Sequence, residues 1–188
     1  MKKLILALVL ALVMTGAFAY AETAADETVA AEGEWIAPAA GEAVTLEKDL
    51  GVLIENVFYP VYTPVDELMA VIGEPLETIS SPSCVFEGED FEFDYEYGSL
   101  FTNPIDGKNV WYEFYIFDVG MSTSRGLSVG DTVEKMLELY GDGYYAEGED
   151  MYTYSLSGDP EDYGSPCLIF EAEEGLIVTI DIYYPTNI

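Results

Sequence analysis

Two segments of the chain, TPVDELMAVIG at 63–73 and DTVEKMLELYG at 131–141, carry one helical pattern twice. Val65, Leu68, Met69 and Ile72 fall at i, i+3, i+4 and i+7, which gathers them into a single apolar stripe on an α-helix. Val133, Met136, Leu137 and Tyr140 repeat that spacing, each 68 positions after its counterpart, and Gly73 and Gly141 close both segments at the same offset. Glycine stops a helix there because it turns left-handed without a Cβ clash. Thr63 with Pro64 in the first turn, and Asp131 with Glu134 three residues on, are expected to start the two helices. Start, stripe and stop matching together predict a duplicated fold unit.

After each helix the period changes to two. Phe91, Phe93, Tyr95 and Tyr97 alternate with Glu92, Asp94 and Glu96, the pattern of a half-buried strand with rings inward and acids outward. Asp106–Lys108 is a turn, and VWYEFYIFD, 110–118, is the next strand. MYTYSL, CLIFEA and LIVTIDIYY behave alike in the second half, with a turn at 173–175. The acidic string EGED precedes the strands in both halves, at 87–90 and 147–150, but at an offset of 60. Gly88 and Gly148 suit it to a turn. The phase slip between the halves makes Tyr152 and Tyr154 the inward pair and calls for a bulge or a one-residue shift nearby. The predicted class is α+β: two tandem helix-plus-antiparallel-strand repeats forming one curved sheet with helices on one face.

Segment boundaries follow from composition. Lys2 and Lys3, the apolar run Leu4–Val13 and the small residues Ala17 and Ala19 read as a secretory signal over 1–19. That apolar run is shorter than the roughly 20 residues a membrane span needs, so no membrane insertion is expected after cleavage. Residues 20–44 lack a basic residue and a sustained apolar period, and are expected to be a flexible acidic linker. Trp35 and Ile36 are its exceptions and are candidates to dock on the domain. Repeat unit one is assigned to 45–121 and unit two to 122–188.

Charge and residue types remove whole classes of chemistry. The chain has 36 acidic residues, 6 basic ones and no histidine. Beyond the signal its only cations are Lys48, Lys108, Arg125 and Lys135. Such a surface repels nucleic-acid phosphates and anionic lipid heads. Ser-His-Asp and Cys-His arrangements and histidine-built zinc sites are excluded, and two cysteines cannot form a four-cysteine site. No phosphate-cradling loop is present. Close carboxylate pairs arise by chance among so many acids, so the chain reads as a non-enzyme with no cofactor and no metal. The EGED strings carry oxygen ligands of the kind calcium takes, but not at the spacing of an EF-hand loop. Cys84 and Cys167, the only cysteines of an exported chain, are expected to form a disulfide, with two buried thiols as the alternative.

GLSVGDTVEKMLELYG, 126–141, and SCVFEGEDFEFDY, 83–95, resemble stretches of the β-lactamase-inhibitory-protein-like group of exported bacterial proteins. Small lipoproteins of bacterial outer-membrane assembly carry a single related unit. The resemblance covers about 61–188 and implies two units side by side, helices on the convex face of a curved sheet, and a concave face that binds another protein. That inhibitor closes cysteine loops inside each unit, whereas this chain has one cysteine in each half. No target-contact residue of the group matches this sequence.

The last strand of each half carries the binding candidates. Strict alternation puts Val110, Tyr112, Phe114 and Ile116 on one face and Trp111, Glu113, Tyr115 and Phe117 on the other. In 176–184 it puts Leu176, Val178, Ile180, Ile182 and Tyr184 on the apolar face, with Ile177, Thr179, Asp181 and Tyr183 facing away. Trp111, Glu113, Tyr115, Phe117, Asp181 and Tyr183 are therefore expected on an open, aromatic and acidic sheet surface. It suits an unidentified and possibly basic protein partner in the extracytoplasmic space or cell envelope. Stacking on carbohydrate or cell wall is the alternative, and a structural envelope role a further one. In the bland reading these rings pack on the N-terminal segment or on each other.

Overall fold

The computed structural model describes residues 35–146, 148, 150–162 and 164–186. The expected secretory signal over 1–19 and residues 20–34 of the expected linker lie outside the described residues. The fold is mixed α and β with few helices and antiparallel sheets. In chain order the elements are α1 Leu46–Asp49, β1 Gly51–Ile54, β2 Val57–Pro60, α2 Val65–Ile72, β3 Glu77–Pro82, β4 Glu89–Tyr95, β5 Gly98–Ile105 and β6 Lys108–Ile116. They continue as β7 Ser122–Thr123, α3 Val133–Tyr140, β8 Tyr145–Ala146, β9 Met151–Ser155, β10 Cys167–Glu173 and β11 Leu176–Tyr183. Eight strands form one sheet in the order β3-β4-β5-β6-β11-β10-β9-β8, and a small sheet runs β2-β1-β7.

Local chemistry accounts for these elements. Both long helices close on glycine at positive φ: the Gly73 N–H donates to Met69 O and the Gly141 N–H to Leu137 O. The starts differ from expectation. Thr63 Oγ1 donates to Pro60 O rather than capping α2. At α3 the cap is Thr132, whose hydroxyl accepts from Lys135 N, while Asp131 accepts from Ser128 N and from Lys135 Nζ at 2.7 Å. The hairpins β5–β6 and β10–β11 turn on Asp106-Gly107 and Glu174-Gly175, all four residues at positive φ, as two-residue turns matched to strand twist require. Within the first EGED string, Gly88 approaches Pro104 so closely that a Cβ would lie 2.9 Å from it. Glu147 and Glu149 of the second string lie outside the described residues.

The two halves of the sheet meet at β6 and β11, where Tyr115 lies opposite Asp181, Phe114 opposite Ile182 and Ile116 opposite Ile180. Each half also anchors its helix start to its last strand in the same way. Tyr62 N donates to Trp111 O and Trp111 N to Thr63 O. In the other half Gly130 N donates to Ile177 O and Ile177 N to Asp131 O. One continuous core holds Phe93, Tyr95, Leu100, Phe114, Ile116, Leu168, Phe170, Ile180 and Ile182 from the strands, with Leu68 of α2 and Met136 and Tyr140 of α3. Tyr154 is buried and Tyr152 packs against this core, the inward pair the period implied.

Strict alternation fails at one residue in each last strand. Thr102 pairs with Trp111 but Phe101 with Glu113, so Tyr112 is an extra residue on β6. Ala172 pairs with Ile177 but Glu171 with Thr179, so Val178 is extra on β11. A bulge reverses the phase of everything before it. Trp111, placed on the open face by simple alternation, is therefore fully buried and meets the Phe114 ring edge-on. Val178 likewise leaves the apolar face, and Ile177 takes its place in the core.

The expected disulfide is absent: Cys84 and Cys167 are not bonded to each other. Cys84 lies in the exposed turn before β4 and Cys167 opens β10, four strand positions away across the sheet. At roughly 4.8 Å per strand that is about 19 Å, well beyond the roughly 7 Å limit between bridged Cα atoms.

The linker expected to run flexibly to residue 44 is packed on the domain from Trp35. The Trp35 ring stacks on Phe58 at 4.4 Å, and its Nε1 donates to Ser124 O at 2.8 Å. Ile36 remains exposed. Trp35→Ala is expected to cost about 1–2 kcal/mol in a urea titration, the worth of one aromatic pair and one hydrogen bond. Beneath this segment Arg125 is buried. Its Nε donates to Asp49 Oδ1 at 2.7 Å, and its terminal nitrogens reach the carbonyls of Ala39, Glu42, Ala43 and Leu139. The guanidinium also sits 4.7 Å over the Tyr140 ring.

Candidate functional site

On the strands of the large sheet, the residues alternating with the core side chains form a second face. Two rows cross it through the β6–β11 seam. One runs Asp94, Ser99, Tyr115, Asp181, Ile169, Thr153 from β4 to β9. The other runs Glu92, Phe101, Glu113, Tyr183, Cys167, Ser155. Of the six binding candidates, Glu113, Tyr115, Asp181 and Tyr183 lie together in these rows. Phe117 follows β6 on the same side, 45% exposed, its ring 6.3 Å from Tyr115. Trp111 belongs to the core. Alternation by itself missed Tyr112, turned toward the acids by the bulge. The β4 acids were readable from the alternation over 91–97; Phe101 was missed because its strand β5 was not anticipated, and only strand order sets both beside Glu113.

The face is acidic and poorly neutralised. The two ion pairs among the described residues, Arg125–Asp49 and Lys135–Asp131, both lie elsewhere. Asp94 Oδ1 accepts from Ser99 Oγ at 2.6 Å, and Asp90 Oδ1 accepts from Asn103 Nδ2 at 2.8 Å. Asp181 Oδ1 is buried at the seam and accepts no hydrogen bond. Burial, with Glu113 and Glu171 nearby, raises the Asp181 carboxyl to about 8. Burial and then Glu92 raise Glu113. Burial raises the Tyr112 phenol to about 12, with Glu113, Asp90, Tyr183 and Glu92 adding to it. Acidic side chains with no cation partner, interleaved with half-exposed rings, complement cations and flat apolar groups.

Among the described residues no group of three or more acidic or cysteine side chains is arranged to hold a metal ion, and no helix is long and apolar enough to cross a membrane. No family model matches the chain. No curated protein and no solved structure matches it either.

Proposed function

We propose that the chain is an exported, non-enzymatic binding module that recognises a basic protein partner through the second sheet face. The carrying observation is the pair of rows through the seam, where Glu92, Glu113 and Asp181 alternate with Phe101, Tyr115 and Tyr183 and no described cation neutralises them. Rings supply contact area at low entropic cost, and the unbalanced negative charge selects and steers a cationic partner. Two quasi-equivalent units, with helices over the opposite face, are the architecture that goes with this reading. The matching bulges at Tyr112 and Val178, the matching glycine stops and the paired anchoring bonds of Trp111 and Ile177 support it. So does the resemblance to the β-lactamase-inhibitory-protein-like group, in which the sheet face opposite the helices is the binding surface.

The test is affinity capture of extracellular proteins on immobilised protein, with a Tyr115→Ala/Phe117→Ala variant beside the wild type. Both rings are at least partly exposed, so the variant is expected to fold while losing tenfold or more in affinity for the captured partner, about 1.4 kcal/mol. Equal capture by both proteins would remove this face from consideration. Binding in a glycan array, abolished by the same variant, would transfer the face to carbohydrate recognition.

A further inference from the structure

The edges of the eight-stranded sheet are unlike. One is β8, only two residues long; the other is β3, six residues, every one exposed. A long uncovered edge is a template for another strand, and proteins ordinarily blunt it with charge. Here the stretch Thr78–Phe86 carries no charge at all, in a chain with 36 acidic residues. Ile79 is 47% exposed and Leu76, just before the strand, 77%.

The β3–β4 ladder says which backbone groups are free. Ser83 N donates to Gly88 O, and the register continues through Ser81↔Asp90, Ile79↔Glu92 and Glu77↔Asp94. Antiparallel pairs alternate in bonding. The backbones of Ser81, Ile79 and Glu77 therefore turn to β4, and those of Thr78 and Ser80 turn outward with both N–H and C=O. Pro82 turns outward too, but has no N–H to give.

We propose that β3 pairs antiparallel with β3 of a second copy of this chain, joining two eight-stranded sheets edge to edge. One register pairs both the N–H and the C=O of Thr78 and Ser80. Thr78 bonds Ser80 of the other copy in both directions, and Ser80 bonds Thr78, giving four hydrogen bonds about a twofold axis. Ile79 then meets its own copy on that axis, as a close, non-bonded pair. Glu77 faces Ser81 and Leu76 faces Pro82, so no like charges are opposed. Centring the pair on Ser80 instead would set Thr78 against Pro82, which has no N–H to give, and leave the outward Thr78 carbonyl without a donor. Centring it on Thr78 would call on Leu76 N, already given to Asp94 O. An isologous contact of this kind closes on itself and leaves no growing edge but the short β8 strands.

Sedimentation velocity of the mature chain at low and raised sodium chloride tests this. A dimer is expected, and more of it at high salt, since salt screens the repulsion of two strongly acidic chains. Ser80→Pro should give a monomer with an unchanged far-ultraviolet circular dichroism spectrum, because the N–H it removes points away from β4. If Ser80→Pro loses its spectrum, Ile79→Lys, which sets two cations together on the axis from an exposed position, takes its place and should be monomeric. A monomer under all conditions, including the case in which β3 serves a strand of another protein, overturns the proposal. So does a dimer that survives in a folded Ser80→Pro variant.

Discussion

Arg125→Ala is expected to lower the stability of the domain by about 3–5 kcal/mol, the range for removing one partner of a buried ion pair. Arg125 and Asp49 are each about 1% exposed at the side chain and bonded at 2.7 Å. Without the guanidinium, Asp49 keeps its bonds from Thr45 N and Ser124 Oγ but becomes a lone buried charge. The carbonyls of Ala39, Glu42, Ala43 and Leu139 lose their donor in the same step, and Tyr140 loses the cation over its ring. The N-terminal segment, α1 and the end of α3 loosen together, because this one side chain joins them. In a thermal melt the loss corresponds to a fall on the order of 10 °C. Asp49→Asn should also be costly, since it strands the guanidinium. An Asp49→Asn/Arg125→Gln double variant should recover part of the loss, because no lone charge then stays buried. Single variants within about 1 kcal/mol of wild type would mean that the pair behaves as an exposed one.

Asp181→Asn is expected to act in the opposite direction and to stabilise the protein at neutral pH by about 2–4 kcal/mol. The Asp181 carboxyl is raised to about 8 in the fold, against an ordinary value near 4 in the unfolded chain. The folded state therefore holds the proton more tightly. The stability this contributes is fully present below about pH 4 and is lost as pH rises to about 8. Asparagine imitates the protonated carboxyl at every pH. The two proteins should thus match in urea titrations near pH 4 and diverge steadily toward pH 8, with a constant gap above it. The difference curve is the readout, because Glu113 is raised in the same sense and the whole acidic chain gains stability on acidification. A gap that does not change with pH would show that Asp181 is ionised in the fold.

How far the chain could be read in advance differs by element. α2 and α3 were legible from stripe and glycine, because helical period and left-handed stops are local properties of a few residues. The turns at Asp106-Gly107 and Glu174-Gly175 were legible for the same reason. Trp111 was not: its face depends on a bulge that exists only relative to β5, and one inserted residue reverses every side chain before it. Asp49 and Arg125, 76 positions apart, left no local trace of their pairing, although Arg125 was one of four cations available to any acid.

The amino-acid sequence by itself determined the helices, the hairpin turns, the alternation of rings with acids and the excess of negative charge. Each of these is written within a span of residues that touch through one turn of helix or one pleat. Only the tertiary structure decided which rings are core and which are surface, that Cys84 and Cys167 stand too far apart to bond, that Arg125 holds the N-terminal segment, and that β3 is left as an edge with a single charge, at Glu77. Those outcomes depend on strand order and register, which are set by the packing of distant segments against one another and not by any local period.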